Sequence, residues 1–217
     1  MVHPQSEYGP SAAALREWEG HVEGVLRGVA HALNNRAAAV SGVVGLWNEP
    51  EEFGSNRALL EGEIRRLREL ADAVRLIGAR DAQVEAFEPA DAVTAARVII
   101  GLHADLRERS ITFDSVSVTP VRTKKWMLVR ALVAFAARAA LRGNRTGAAT
   151  ISIRADAPWV VIRATGEGLT RELTPELTPE LTPYVLEMTR AMGGESLSDA
   201  TGFRLPSLAE LRRREGR

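Results

Sequence analysis

His31 is the residue of this 217-residue chain best placed to do chemistry. It sits in the run Gly28-Val29-Ala30-His31-Ala32-Leu33-Asn34-Asn35-Arg36-Ala37-Ala38-Ala39-Val40, within a segment whose apolar residues recur at threes and fours. Two residues separate it from Val29, roughly 200° around a helix, so the ring is expected to project away from the apolar face toward solvent. An exposed imidazole can act as a nucleophile. Asn35 stands one turn further on, where it could orient the ring or an oxygen of a transferred group, with Asn34 and Arg27 as further polar neighbours. The other three histidines, His3, His21 and His103, have no matching surroundings and read as solvated surface residues. With no cysteine in the chain, disulfides and thiolate metal sites are excluded, and four scattered histidines leave little from which to build a metal centre.

The helix that carries His31 is expected to run from about Ser11 to Trp47, with Val22, Val25, Val29, Leu33, Val40, Val43 and Trp47 along its apolar seam. Residues 48–56 break it with Pro50 and Gly54, and Ser55 or Asn56 reads as the cap of a second helix. That helix extends to about Ala79, with Leu60, Ile64, Leu67, Ala71, Val74 and Leu76 or Ile77 on its seam and Glu61, Arg65, Arg66, Arg68 and Glu69 outward. Two antiparallel helices cannot enclose so long a seam alone. Pairing of two hairpins into a four-helix bundle, and hence a homodimer, follows from the pattern.

Beyond a joint at residues 80–89 the pattern changes to that of a mixed domain. We expect a helix from about Ala90 to Arg109, a strand over Ile111–Val118 and an Ala-rich helix from Lys124 to Arg142. A turn at residues 143–147 leads to strands Ala149–Arg154 and Trp159–Ala164, joined through Asp156-Ala157-Pro158. A Glu-Leu-Thr-Pro repeat fills residues 172–183 and is too Pro-rich for regular structure. Thr182 caps, and Pro183 opens, a helix to about Met192 that Gly193-Gly194 stops. A strand pair near 195–198 and 202–205 and a charged helix from Ser207 complete the chain. Of the four tryptophans, Trp47, Trp126 and Trp159 fall on apolar stripes and are assigned to the core.

Acidic and basic residues number 28 each, so no global field selects nucleic acid or an anionic membrane as a partner. No stretch approaches the roughly 20 apolar residues that span a bilayer, and Met1–Pro10 lacks an apolar leader segment. A cytoplasmic location is therefore expected.

The His31 segment resembles the phosphoacceptor segment of sensor histidine kinases: His, usually an acidic residue, Leu, Asn, Asn or a similar residue, Pro, then small apolar residues. The resemblance runs from about Ser11 to Pro206 in the family's order. Leu128–Ala139 falls where the family has its Asn-containing helix, and Ile162–Leu169 where it has Asp-x-Gly-x-Gly. Tyr184–Gly194 and Gly202–Pro206 are similar to its last helix and closing strand. The fold class so implied is α+β: an N-terminal helical hairpin forming a dimeric four-helix bundle, followed by a degenerate histidine-kinase-type ATPase α/β sandwich. In this scheme residues 1–10 are a flexible N-terminus, 11–82 the dimerisation and phosphotransfer hairpin, and 88–217 the sandwich.

The departures from the pattern carry the most information. Where the family holds adenine with Asp and Mg²⁺ with Asn, this chain has Ala164, Ala134 and Arg138, with Gly166 and Gly168 retained. A methyl group neither accepts a hydrogen bond nor ligates a hard cation. The proline-bearing repeat stands where a glycine-rich phosphate loop belongs and lacks its N–H donors; it reads as a disordered lid remnant. Ala32 replaces the acidic neighbour of the histidine, and Arg36 the helix-bending Pro.

The resemblance therefore implies a histidine phosphotransferase of a bacterial two-component phosphorelay, a phosphoryl carrier and not an ATP-dependent kinase. His31 would exchange a phosphoryl group with the aspartate of response-regulator receiver domains, Asn35, Asn34 and Arg27 supporting it. No cofactor is expected to bind, Mg²⁺ arriving only through the receiver. The implied partners are a second copy, receiver domains and an upstream hybrid kinase. The alternative is a pseudokinase scaffold that docks a regulator or kinase without passing phosphate.

Overall fold

A computed structural model describes residues 10–45, 53–78, 83–114, 116–142, 148–166, 181–199 and 201–216. The expected flexible start, the 48–52 part of the interhelical loop, Trp47, the 143–147 turn, Gly168 and the repeat up to residue 180 lie outside them, as does the expected hairpin boundary at residue 82.

The chain opens with a helical hairpin, α1 (Ala12–Gly45) and α2 (Phe53–Gly78). Because α2 already begins at Phe53, Ser55 and Asn56 fall inside its first turn and not in front of it; Asn56 is buried there. The α/β domain follows: β1 (Glu85–Phe87), α3 (Pro89–Leu102), β2 (Ile111–Asp114), β3 (Val121–Thr123), α4 (Lys125–Arg142), β4 (Ala149–Asp156), β5 (Trp159–Gly166), α5 (Pro183–Ala191), β6 (Glu195–Ser196), β7 (Gly202–Pro206) and α6 (Leu208–Glu215). Helical hairpin first and mixed α/β domain second is the order the sequence leads one to expect.

Five strands form a sheet in the order β2-β4-β5-β7-β6, with β2 parallel to β4 and the remaining pairs antiparallel. The inward residues Ala149, Ile151 and Ile153 of β4 and Val160, Ile162 and Ala164 of β5 alternate as a one-sided sheet requires. Residues 127–137 of α4 are buried on every side, because β4 and β5 cover one face of this helix while α3, α5 and α2 pack against the rest. Local chemistry fixes the helix ends. Pro89 supplies a preset φ at the start of α3, and the Thr182 and Ser207 hydroxyls accept from Val185 N and Glu210 N at 3.4 and 3.2 Å to open α5 and α6. Gly193 ends α5 at φ +73°, a conformation that disfavours any side chain.

Three expectations are corrected. The helix expected to reach Arg109 ends at Leu102, with His103 as its C-cap, and residues 103–110 form a turn. The strand expected over 111–118 stops at Asp114, and residues 116–120 are irregular. The 80–89 joint contains β1, which pairs with β3 as a separate two-stranded ladder, Ala86 opposite Arg122. Three-residue strands leave no measurable period in the sequence.

The hairpin is not free of the α/β domain. Along α1 the buried residues are Ala14, Trp18, Gly24, Val25, Gly28 and Val29, all before His31, and they meet α3 and α5. Trp18 stacks on Tyr184 of α5 with ring centroids 5.1 Å apart at 11°. Glu17 accepts the Tyr184 N–H at 3.1 Å and so places a carboxylate at the N-terminal end of α5. From α4, Arg130 donates to the carbonyls of Leu76 (3.4 Å) and Ile77 and lies against the rings of Trp126 and Trp18 at 4.3 and 5.1 Å. It thereby satisfies orphan acceptors at the C-terminal end of α2. Trp126 and Trp159 are half-buried and not core residues; the guanidiniums of Arg204 and Arg214 lie 4.5 and 5.5 Å from the Trp159 ring centroid.

Candidate functional site

Past Val29, α1 emerges from the contact with the α/β domain, and no described residue of its remaining length is buried. His31 occupies the first turn of this free part and is exposed, as its spacing from Val29 requires. Asn35 Nδ2 lies 3.2 Å from His31 Nε2, the one-turn relationship expected. With the amide donating, Nε2 is the unprotonated ring nitrogen and Nδ1 carries the proton. Asn34 is exposed, and Arg27 is exposed and paired with Glu23 at 3.7 Å.

The hairpin keeps two apolar stripes in solvent. On α1, Leu26, Leu33, Ala37 and Val44 are exposed at intervals of seven, four and seven. On α2, Ile64, Ala71 and Val74 are exposed and Leu60 and Leu67 half-exposed, while the face turned to α1 and the α/β domain carries Glu63, Leu70, Ala73 and Ile77. The seam expected on α2 is thus split, one flank covered within the chain and the other open.

Arg36, standing where the resemblance expects proline, reaches across the hairpin to Glu63, its Nη1 3.2 and 3.1 Å from the two carboxylate oxygens. Arg66 Nη1 donates to the same carboxylate at 2.7 Å. With its N–H retained and its side chain engaged, residue 36 continues the helix. Sequence reading missed this cluster, although a charge at the 29/33/36/40 apolar spacing was the available signal.

The positions matched to a nucleotide site carry neither a carboxylate nor a side-chain amide. Ala134 and Ala164 are buried in one core with Phe135, Ile151 and Ile162. Arg138, half-buried on α4, presents a cation and leaves Nε without a partner. Gly166 closes β5 opposite Ala149. Two methyls and a guanidinium offer neither an adenine acceptor nor an oxygen for Mg²⁺, so these residues do not fit the Mg²⁺-nucleotide that the family pattern implies. Among the described residues no cluster of three His, Asp or Glu could hold a metal ion, and no helix is long and apolar enough to cross a membrane.

The reading of His21 and His103 as solvated surface residues is overturned. They face each other where α1 crosses the end of α3, ring centroids 5.7 Å apart and edge-on. His103 is 4% exposed; its Nδ1 accepts from Asp105 N at 3.2 Å and its Nε2 has no partner. Burial first, and then the neighbouring His103, lower the His21 pKa to about 4. His103 is lowered by burial and by the Arg27 charge, with Asp105 opposing. Gly24 and Gly28 make the approach possible: a Cβ on Gly24 would meet the His103 ring at 2.5 Å, and one on Gly28 the Leu102 carbonyl oxygen at 1.5 Å. Ala104 N donates to Gly24 O at 3.1 Å across the same contact.

No family model matches the chain, and no curated protein does. Among solved structures it is similar to the histidine kinase AdeS of Acinetobacter baumannii, 14% identical, covering 82% of this chain and 98% of that one at a TM-score of 0.43. It is similar to a bacterial phosphotransferase, 13% identical over 92% of this chain and 98% of that one, TM-score 0.39. A third is the histidine kinase ThkA, solved in complex with the response regulator protein TrrA: 14% identical, 84% of this chain, 60% of that one, TM-score 0.45.

Proposed function

We propose that this protein is a dimeric histidine phosphotransferase in which His31 exchanges a phosphoryl group with the aspartate of a response-regulator receiver domain, without using ATP. The observation that carries the reading is the exposed His31 ring, held through Nε2 by Asn35 at 3.2 Å on the uncovered part of α1. The Nε2 lone pair attacks phosphorus, the bond from phosphorus to the aspartyl oxygen breaks, and its electron pair returns to the carboxylate. Nδ1 keeps its proton, and the Asn35 amide is then free to donate to a phosphoryl oxygen. Mg²⁺ and further charge-stabilising groups come from the receiver. Ala134, Ala164 and Arg138 support transfer without a nucleotide of the protein's own.

A second copy completes the molecule. Burying Leu26, Leu33, Ala37 and Val44 of α1 and Leu60, Ile64, Leu67, Ala71 and Val74 of α2 between two hairpins removes both apolar stripes from water. His31 is two residues from Leu33, roughly 200° around the helix, and stays outside that seam.

The test is phosphotransfer from labelled, phosphorylated receivers encoded in the same genome. Label is expected on the wild-type chain and not on His31→Gln, which should still bind the receiver. Undiminished labelling of H31Q, or no transfer from any receiver, overturns the proposal; receiver binding without transfer indicates a docking scaffold.

A further inference from the structure

On the side of α3 turned away from α1, the helix, the 103–110 turn and β2 enclose a groove of about 470 Å³. That volume is within the roughly 300–1,000 Å³ of small-molecule clefts. Three arginines line it, Arg97, Arg107 and Arg109, over an apolar floor that includes Leu106 and Phe113. No carboxylate is among the lining residues.

The balance of charge there is unmet. The C-terminal end of α3 supplies about half a negative charge, far short of three cations. Glu108 stands 3.7 Å from Arg107, but both are solvent-facing, and such a pair is weak. Arg97 is fixed, its Nη2 donating to the Phe113 carbonyl at 3.1 Å and its guanidinium 5.6 Å above the Phe113 ring. Arg109 Nη1 is buried without an acceptor among the described residues, an unfavourable state for a charged donor. Gly101 leaves the wall open, since a Cβ there would meet nothing within 4 Å.

We propose that this groove binds an organic phosphate. Arg107 and Arg109 hold the phosphoryl oxygens in the forked geometry guanidinium favours, and the carbon body lies on Leu106 and Phe113. None of Ala134, Arg138 and Ala164 lines the groove, so the site is separate from the position of a kinase nucleotide, and the inference does not depend on His31 chemistry.

Calorimetric titration of the full chain with AMP in metal-free buffer tests it, with inorganic phosphate as the second probe. AMP is expected to bind saturably and at least tenfold more tightly than phosphate. Arg107→Glu and Arg109→Gln should each weaken AMP at least tenfold, while Arg212→Glu on α6 leaves it unchanged. Arg107 is 42% exposed, so R107E reports on binding even where R109Q disturbs the fold. No binding of AMP, equal affinity for the two probes, or AMP affinity unaffected by R107E would each overturn the proposal.

Discussion

Arg36 of α1 and Glu63 of α2 meet across the hairpin one turn beyond the exposed histidine, at 3.1 Å, with the Glu63 side chain only 11% exposed. This contact pins the two helices in one register beside His31. Because Arg36 and Arg66 remain partly in water, the pair is worth far less than a fully buried one.

Truncating Arg36 to Ala leaves Glu63 with Arg66 alone and should lower stability by about 1–2 kcal/mol. The double replacement Arg36→Ala with Glu63→Leu removes both charges and should recover most of that loss. Urea unfolding of the four proteins of the cycle measures the coupling; strict additivity of the two single changes would show that the contact does not matter.

Stability should fall on mild acidification because of His21. Its folded-state pKa, about 4, lies below the ordinary 6.5, so between these values the unfolded chain binds more protons than the folded one. Stability is therefore complete above pH 6.5 and declines as pH drops toward 4, by up to about 3 kcal/mol. His103, shifted in the same direction, adds to the slope. Melting temperatures recorded from pH 7.5 to 4.5 should drop, and His21→Phe should flatten the curve; an identical slope in that variant would refute the assignment.

Two glycines eight residues apart on α1 have opposite roles. Gly28→Ala drives a methyl into the Leu102 carbonyl and should destabilise by about 3 kcal/mol, parting α1 from α3. Gly20→Ala meets nothing within 4 Å and should stabilise the helix by up to about 1 kcal/mol. Chemical denaturation midpoints for the two variants should move in opposite directions.

Leu33→Arg or Ile64→Glu should turn the proposed dimer into monomers, since each places a charge on an open apolar stripe. Sedimentation velocity gives the mass directly. A monomeric wild type, or dimers that tolerate both changes, would remove the four-helix bundle from the proposal.

Much of this was legible from the sequence. The 3.6-residue period placed α1 and α2, cap chemistry placed Thr182–Pro183, and two residues of offset from Val29 put His31 in solvent. Such signals are local, because a helix face or a capping hydroxyl is defined within a few residues. Periodicity states which side of an element is apolar and says nothing about what covers it. Only the tertiary structure decided that α1 gives Val25 and Val29 to the α/β domain and leaves Leu26 and Leu33 open. It alone packed His21 against His103, 82 residues on, set Glu63 beneath Arg36, and folded Ala134 and Ala164 into one core. Those contacts join residues distant along the chain, and their stability comes from desolvation at packed interfaces, which no short window of sequence records.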